Sequence, residues 1–296
     1  MPPAVIPSRL TVGPGEAVYL FALCRSGVSR DAMGGLSLES DDAPHDEFGE
    51  PVLMACTSDV WAVVSVVQRS TWAGDAAASN MGSLAWVAPR ATRHEEIVEA
   101  VMDAGPAYPA RFGTLFSSGT RLASVVEDHH QPMLRYLNHV DSAEEWAIKL
   151  LLDREKAARE YVRRQSGGPE DAETSAENDA ESSASGTAYL QRKVQERDAR
   201  AEVDAWLDDV GEAVFDTLAS LARDAAVLEA RDRPDEPREV AAHFAFLVPK
   251  ADAEPFFQAI DMAADRLTGR GLDIDCTGPW PPYSFRPSLT GREMAG

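Results

Sequence analysis

Residues 240–276 read VAAHFAFLVPKADAEPFFQAIDMAADRLTGRGLDIDC, and their patterns predict a strand, a helix and a second strand. Apolar residues alternate around Phe244 and Phe246, as they do in a half-buried strand. Phe256 and Ile260 then stand at helical spacing, before alternation returns at the end of the stretch. This succession indicates an α+β arrangement, in which helices pack on a small sheet.

A long helical pattern precedes this stretch, from about Tyr189 to Ala230. Its apolar residues recur at helical steps: Val203, Trp206, Leu207, Val210, Val214, Leu218, Leu221, Ala225 and Leu228. A stripe of this length requires a large apolar surface to pack against. The strand–helix–strand stretch supplies that surface, so the second half of the chain is predicted to form one domain.

The first half of the chain predicts a second small sheet. The run AVYLFAL (17–23) is suited to a buried strand, and residues 52–56 and 60–67 are rich in β-branched side chains. These two later runs predict a hairpin beside the first strand.

Two helical segments follow the hairpin. Thr92 and Glu95 have the spacing of a capping box, which predicts a helix that begins there and ends before Gly105. A further helical pattern begins near Thr120 and is interrupted at Pro132, because proline lacks the backbone N–H that a helix interior uses. The first of these helices is expected to cover one face of the sheet.

The predicted fold class is therefore α+β with two domains. Residues 1–140 are expected to form an N-terminal α+β domain and residues 141–296 a C-terminal domain, each with a small mixed or antiparallel sheet and helices on one face. The stretch 165–187 is rich in Ser, Gly, Ala and acids, which predicts a disordered acidic loop. Residues 39–50 predict a second, exposed acidic loop.

The charge balance excludes several classes of partner. The chain has 296 residues, of which 49 are acidic and 28 basic, for a formal net charge of -21. Such a surface repels phosphate backbones and anionic headgroups, so neither nucleic acid nor a bare membrane is an expected partner. The sequence shows no membrane-spanning run and no signal peptide, and its three cysteines are far apart. A cytoplasmic protein with reduced thiols is therefore expected.

Motifs for catalysis and cofactor binding are absent from the sequence. It contains no P-loop, dinucleotide-binding, nucleophile-elbow or zinc-protease string. Neighbouring His129 and His130 point in different directions on a helix, and no second chelating cluster accompanies them. Cys24 is expected to be a core thiol. No metal, cofactor or enzymatic activity is expected; the competing hypothesis is an enzyme that uses Cys24, Arg111 or the histidine pair.

The proline-rich string CTGPWPPYSF (276–285) indicates an unusual local shape. It predicts an extended, stiff tail from which Trp280, Tyr283 and Phe285 project. These aromatic side chains either pack back on their own domain or are presented to a partner.

The string YPARFGT (108–114) predicts a bent, extended segment. Arg111 stands among apolar neighbours there and is expected to pair with a carboxylate. That pairing is either structural or part of a contact surface.

Several separate strings of this chain occur in the same order as in a known protein family. They are Tyr19-Leu20-Phe21, Trp86-Val87-Ala88-Pro89-Arg90-Ala91 with His94, Pro109-Ala110-Arg111-Phe112-Gly113-Thr114, Glu145-Trp146 with Lys149, Tyr189-Leu190, and Thr277-Gly278-Pro279-Trp280-Pro281-Pro282-Tyr283-Ser284-Phe285. With these strings the chain resembles the gas vesicle proteins of the GvpL/GvpF type over nearly its whole length. It departs from them at Ala110, where the family often has a larger residue, and in long insertions at the two acidic stretches.

The resemblance implies a non-enzymatic accessory or minor structural protein of gas vesicles, the gas-filled shells that give some prokaryotes buoyancy. Such an assembly factor binds the small hydrophobic shell subunit and other gas vesicle proteins during nucleation and limits aggregation. The alternative is a scaffold that binds only other accessory gas vesicle proteins. The resemblance also implies an N-terminal α+β domain and a modified ferredoxin-like C-terminal domain with a long helix.

Five residues of these strings form the predicted partner-binding set: Arg111, Phe112, Trp280, Tyr283 and Phe285. A shell subunit with a large apolar surface must be shielded until it assembles. An acidic protein with exposed grooves is suited to this role, because its charge resists co-aggregation.

Overall fold

The chain divides into two compact units in a computed structural model that describes residues 10–28, 48, 51–165, 186–231 and 237–289. The first unit comprises Met1–Glu144 and Pro281–Gly296, and the second comprises Glu145–Trp280. The two predicted acidic loops, apart from Phe48 in the loop 39–50 and residues 165, 186 and 187 at the ends of the loop 165–187, lie outside the described residues. None of the described helices is long and apolar enough to cross a membrane.

In its described residues, the first unit contains one sheet and five helices. Its elements are β1 (Glu16–Arg25), β2 (Val52–Ala55), β3 (Val60–Gln68), α1 (Arg69–Trp72), α2 (Asp75–Met81), α3 (Leu84–Ala104), β4 (Ala107–Pro109), β5 (Leu115–Phe116), α4 (Gly119–Asp128) and α5 (His130–His139). The strand order is β2-β3-β1-β4, and β5 also pairs with β1. These pairings are antiparallel. The predicted strand and the hairpin beside it are confirmed.

The central strand β1 is buried on both of its faces. No residue from Val18 to Cys24 is more than 1% exposed. Tyr19 and Phe21 face a cluster that contains the apolar side of α3, whereas Leu20 points to the opposite face and is equally buried. The expectation that helices cover only one face of the sheet is therefore too simple for this unit, because both faces of its central strand are covered.

Helix α3 begins earlier than the capping-box pattern predicts. It starts at Leu84, so Thr92 and Glu95 lie in its interior and cap nothing, and the prediction of a start at Thr92 is wrong. Pro89, which in a sequence reads as a boundary, lies inside the helix. The Trp86 ring packs 5.0 Å from the Trp72 ring and helps to hold these first turns. The predicted end before Gly105 is confirmed.

The predicted interruption of the next helix is also confirmed, at His129 rather than at Pro132. His129 separates α4 from α5 and has φ -111° and ψ 16°, outside the helical region. Pro132 then falls in the first turn of α5, where a missing N–H costs little. The chain therefore turns just before the proline.

The second unit contains a four-stranded sheet. Its elements are β6 (Ala143–Leu152), α6 (Arg154–Gln165), α7 (Gly186–Ala219), β7 (Asp224–Val227), β8 (Glu239–Pro249), α8 (Ala253–Leu267) and β9 (Leu272–Trp280). The strand order is β7-β8-β6-β9. Strand, helix, strand, strand, helix, strand is the element order of the ferredoxin-like arrangement, here with α6 and α7 both between the first two strands.

The long helix is shorter than its apolar stripe predicts. Helix α7 ends at Ala219, and Asp224–Val227 instead form the edge strand β7. This strand pairs antiparallel with β8, with Val227 opposite Phe244. The apolar spacing continues past Ala219 only by coincidence, because non-local pairing with β8 decides the conformation there.

The core of the second unit combines the apolar sides of both helices with the sheet. Leu218 of α7 and Phe256 of α8 are completely buried against Phe246 of β8. The predicted strand–helix–strand order of residues 240–276 is confirmed by β8, α8 and β9.

The C-terminal segment does not follow the expected domain limits. The expected C-terminal domain of residues 141–296 includes Pro281–Gly296, but this segment groups with the first unit. Strand β9 extends through Trp280, so the first half of the CTGPWPPYSF string is strand rather than free tail. The chain leaves the second sheet only after Trp280, and residues 281–289 are called the tail segment below.

Candidate functional site

A chain of hydrogen-bonded polar groups lies inside the first unit. The Tyr19 hydroxyl is 2.9 Å from His94 Nδ1, and His94 Nε2 is 3.1 Å from the Ala110 carbonyl oxygen. The Gly113 N–H donates to the Tyr19 hydroxyl oxygen over 3.0 Å. Because a carbonyl oxygen only accepts, Nε2 carries the imidazole proton and Nδ1 accepts from the Tyr19 hydroxyl. Each of these buried groups is therefore satisfied.

This environment keeps His94 neutral. Burial lowers the pKa of His94 from its usual 6.5 to about 4, although the hydrogen bond to Ala110 opposes the shift. Burial also raises the pKa of the Tyr19 hydroxyl, against the opposing effect of the Gly113 N–H. With these shifts neither group changes its charge near neutral pH, so both keep their hydrogen-bond partners there.

Aromatic rings surround this pair. Tyr19, Phe21, Phe48, Trp72, Trp86, His94 and Phe112 make edge-on or tilted ring contacts with one another. Such contacts stabilise a fixed geometry beyond the burial of apolar area. The polar pair is thus held in a rigid setting.

The PARFGT segment wraps around the pair through its backbone. Thr114 N and Thr114 Oγ1 both donate to the Arg111 carbonyl, over 3.1 Å and 2.7 Å, and close a tight turn. Gly113 has φ +83° in this turn, which favours glycine. With the backbone of Ala110 and Gly113 facing inward, the Arg111 side chain is exposed.

The tail segment is fastened to the same region. The Tyr283 hydroxyl donates to Glu95 Oε1 over 2.9 Å and lies 3.5 Å from His94 Nε2. The Tyr136 hydroxyl donates to the Pro282 carbonyl over 2.9 Å. Burial raises the pKa of Glu95, although the bond from Tyr283 opposes the shift. The tail segment therefore supplies polar contacts to the part of α3 that carries His94 and Glu95.

Two further bonds hold the later part of the tail segment. The Tyr108 hydroxyl donates to the Pro287 carbonyl over 3.1 Å. Arg286 Nη1 donates to the Pro109 carbonyl over 3.2 Å, and its guanidinium lies 5.6 Å from the Tyr283 ring centre. Arg286 is thereby oriented without meeting an acid among these contacts.

A groove of about 1060 Å³ opens in the first unit. Its walls come from β1, α1, α2, residues 108–117, α4 and the tail segment. The larger apolar side chains in its lining include Leu20, Trp72, Met81, Phe112, Phe116 and Val125. Four arginines, Arg69, Arg111, Arg121 and Arg286, are the charged residues of this lining within the described part of the chain. We call this surface the arginine groove.

The structure brings together part of the predicted partner-binding set. Arg111 and Phe112 line the arginine groove. Tyr283 and Phe285 belong to the tail segment and are half-buried. Trp280 belongs to the second unit, where the residue is 47% exposed and its Nε1 donates to Thr277 Oγ1 over 3.2 Å.

The expected partner of Arg111 is not found. Its side chain is exposed rather than set among apolar neighbours, and no carboxylate of the described residues is recorded within ion-pair distance of its guanidinium. The backbone, not the side chain, makes the inward contacts of this segment. The prediction of a carboxylate pair is therefore wrong for the part of the chain that the structure describes.

Sequence reasoning missed the roles of Tyr19 and His94. A single tyrosine in an apolar strand and a single histidine on a helix carry no local signal that they meet. The available hint was that both occur in the strings that carry the family resemblance.

Cys24 is a core thiol, as predicted. Cys24 is completely buried, and this burial raises the pKa of its thiol to about 12. Within the described ranges, no group of three His, Cys, Asp or Glu side chains has the geometry to hold a metal ion. His130 Nε2 instead lies 3.4 Å from Asp59 Oδ2.

A known protein family and two relatives match most of this chain. The family model "Gas vesicle synthesis protein GvpL/GvpF" matches residues 17–287. Gas vesicle protein L of Streptomyces sp. (strain CB03234) is 24% identical over 246 residues, which cover 82% of this chain and 86% of that protein. Gas vesicle protein L2 of Halobacterium salinarum is 28% identical over 211 residues, which cover 66% of this chain and 70% of that protein.

Solved structures share the fold. The crystal structure of gas vesicle protein GvpF from Anabaena sp. PCC7120 matches with a TM-score of 0.63 and 15% identity, over 92% of this chain and 99% of that chain. GvpF from Microcystis aeruginosa matches with a TM-score of 0.54 and 14% identity, over 91% of this chain and 98% of that chain. The family match includes the polar pair, the PARFGT segment and most of the tail segment.

Proposed function

Because this chain belongs to the GvpL/GvpF family of gas vesicle synthesis proteins, we propose that it is a non-enzymatic accessory or minor structural protein of gas vesicle assembly. It binds the hydrophobic shell subunit and other gas vesicle proteins during nucleation, and it limits their aggregation. It acts in the cytoplasm and at the gas vesicle.

The arginine groove is the observation that carries this proposal. It is a wide opening whose lining includes Leu20, Phe116 and Val125, and Met81 on its rim is 40% exposed. Large apolar concavities on a soluble protein mark sites of interaction. An apolar segment of a shell subunit gains burial there that water does not offer.

The proposed contact set has two parts. Arg111 and Phe112 touch the partner in the groove, and the exposed ring of Trp280 offers a contact on the second unit. Tyr283 and Phe285 support the groove through the tail segment, because the Tyr283 hydroxyl is already engaged with Glu95. The net charge of -21 keeps a loaded complex soluble.

The buried groups support a binding role over catalysis. His94 is held neutral and hydrogen-bonded at both ring nitrogens. Burial raises the pKa of Cys24 to about 12 and that of Cys56 to about 12, so neither supplies a thiolate at neutral pH. Groups set in this way stabilise a surface and do not attack a substrate.

Co-expression of the tagged chain with the major shell subunit tests the proposal. We expect the subunit to stay soluble and to be retained on the tagged chain. Arg111→Ala with Trp280→Ala should lower the retained subunit several-fold, whereas Arg135→Ala, an exposed arginine outside the groove, should not. Circular dichroism of each variant separates loss of contact from loss of folding.

Two outcomes would contradict the proposal. If the subunit precipitates in the presence of the folded chain, shielding is wrong. If other accessory gas vesicle proteins are then retained on the same tagged chain, the scaffold alternative takes its place. If the variant that combines Arg111→Ala with Trp280→Ala retains as much subunit as the parent, the contact set is wrong.

A further inference from the structure

Several arginines outside the arginine groove are paired with acids. In the second unit, Arg154 lies 2.6 Å from Asp204 and 2.9 Å from Glu239. Arg163 and Arg164 both pair with Glu160. Pairing of this kind is favoured in a chain with 49 acids and 28 bases.

The groove arginines have no such partners among the described residues. Arg69, Arg111 and Arg121 are exposed, and they form no ion pair with an acid of the described residues. Arg286 is held by the Pro109 carbonyl and lies against the rings of Tyr108 and Tyr283, contacts that orient its charge without neutralising it. The groove is thus a local concentration of positive charge on an acidic protein.

The lining offers few other polar contacts. Besides the arginines, its side chains that can form hydrogen bonds are Trp72, Tyr108, Thr114 and Ser117. The Tyr108 hydroxyl already donates to Pro287, and the Thr114 hydroxyl to Arg111. A peptide in extended form would leave its backbone groups without partners there, whereas a helix satisfies its own.

We propose that the arginine groove binds an acidic amphipathic helix of a protein partner. The apolar stripe of that helix packs on the groove lining, and its Asp or Glu side chains pair with Arg69, Arg111, Arg121 and Arg286. The proposal deepens the proposed function, and it rests on it, by naming the chemistry of the segment that the groove takes.

Charge selects this partner over other polyanions. A net charge of -21 repels an extended nucleic acid or an anionic membrane, because their charge extends far beyond the groove. A short acidic helix places its few charges only where the arginines stand. A second copy of this chain is a poorer occupant, because the apolar side of its longest helix, with Leu218 at 0% exposure, is already used in its own core.

Peptide binding to the full chain tests the proposal by fluorescence anisotropy. The probe is a labelled helical peptide of about 18 residues, or about five turns, with Leu on one face and Glu on the other. One comparison peptide has Lys in place of Glu, and another has the same acidic composition in scrambled order. The protein variant is Arg69→Glu with Arg111→Glu.

A matched control changes the same charge elsewhere. Arg135→Glu with Arg266→Glu alters two exposed arginines that do not line the groove. We expect the parent to bind the acidic helix about tenfold more tightly than either comparison peptide. The groove variant should lose about tenfold and gain affinity for the Lys peptide, and the control variant should behave like the parent.

Several results would overturn the proposal. Absence of binding, equal affinity for all three peptides, or an equal loss in the control variant each contradicts it. If the chain sediments as an oligomer that the groove variant dissociates, the occupant is a second copy instead.

Failure of the peptide experiment can be distinguished from failure of the shell-subunit experiment. If the acidic helix does not bind but the shell subunit is retained, the helix assignment is wrong and the proposed function stands. If the helix binds but the subunit precipitates, the groove takes an acidic helix from another partner and shielding is wrong.

Discussion

At the scale of single residues, the chain resolves a common difficulty of buried polar groups. A neutral imidazole has one donor and one acceptor, and both are used in His94 by Ala110 and Tyr19. The Tyr19 oxygen in turn accepts from Gly113. Removing any one of these groups would leave another without its hydrogen bond, at the cost of that group's desolvation free energy.

The buried state of His94 predicts that stability falls in acid. The folded pKa is about 4, below the usual 6.5, so the unfolded chain binds a proton between these values and the folded chain does not. The contribution of His94 is therefore complete above its unfolded pKa and is lost as pH falls toward 4. We expect the free energy of unfolding to fall by about 2 kcal/mol as pH falls from about 7.5 to about 5, because this contribution of His94 is lost.

Urea unfolding of the parent and of His94→Gln at both pH values measures this contribution. The variant lacks the titrating group, so the gap between the two proteins should narrow at the lower pH. Glu95 acts in the opposite direction because its pKa is raised, and it is present in both proteins and cancels. A gap that does not depend on pH would contradict a neutral, buried His94.

The bond between Tyr283 and Glu95 makes a second prediction at this scale. Tyr283→Phe removes the donor to a half-buried carboxylate, and we expect a loss of about 1 kcal/mol in the free energy of unfolding. The pKa of Glu95 should rise further, since this bond lowers it.

A double-mutant cycle with Glu95→Gln isolates that bond. The two substitutions should be non-additive by about the same free energy, because each one removes the same interaction. Additive losses would mean that Tyr283 acts through packing alone.

At the scale of elements, positions where segments approach closely decide the geometry. Gly271, which precedes β9, accepts through its carbonyl from Asp153 N over 2.8 Å at the start of α6. A Cβ at Gly271 would lie 2.6 Å from Ala157 N and 2.9 Å from the Asp153 carbonyl oxygen. Only a residue without a side chain allows α6 to begin against this turn.

Gly271→Ala is therefore expected to lower the free energy of unfolding by about 3 kcal/mol, from positive φ and overlap with helix backbone together. Gly269→Ala is the matched control, since Gly269 has the same φ of +80° but nothing within 4 Å of its Cβ position. The control should lose only about 1 kcal/mol. Chemical denaturation of both variants gives the comparison, and equal losses would show that close approach is unimportant.

At the scale of the whole molecule, the end of the chain belongs to the first unit. The hydroxyls of Tyr108 and Tyr136 donate to tail carbonyls, Tyr283 bonds Glu95, and Leu289 is 7% exposed. The first unit is thus closed by residues that follow the second unit in the chain.

Deleting residues 281–296 is expected to loosen the first unit and leave the second unit as it is. Amide hydrogen exchange should rise by about tenfold or more in α3 and β4, because they lose the tail contacts, and it should stay unchanged in α8 and β9. A matched control deletes only residues 290–296. Increased exchange confined to the second unit would contradict the assignment of the tail.

Much of the architecture follows from local pattern. The continuous apolar run of residues 17–23, the alternation in residues 240–248 and the helical spacing around Phe256 were sufficient to predict β1, β8 and α8, because each pattern reports which sides of an element are buried. Prediction failed at Thr92 and beyond Ala219. There, contacts with residues distant in the chain override a local signal.

The sequence by itself determined the α+β class, the positions of most strands and helices, and the excess of acidic over basic residues. Only tertiary structure decided the candidate site. Nothing in the sequence indicates that Arg69, Arg121 and Arg286 lie close together, since they come from α1, α4 and the tail segment. Periodicity reports which side of an element is buried, but not which elements meet, and the groove exists only where those elements meet.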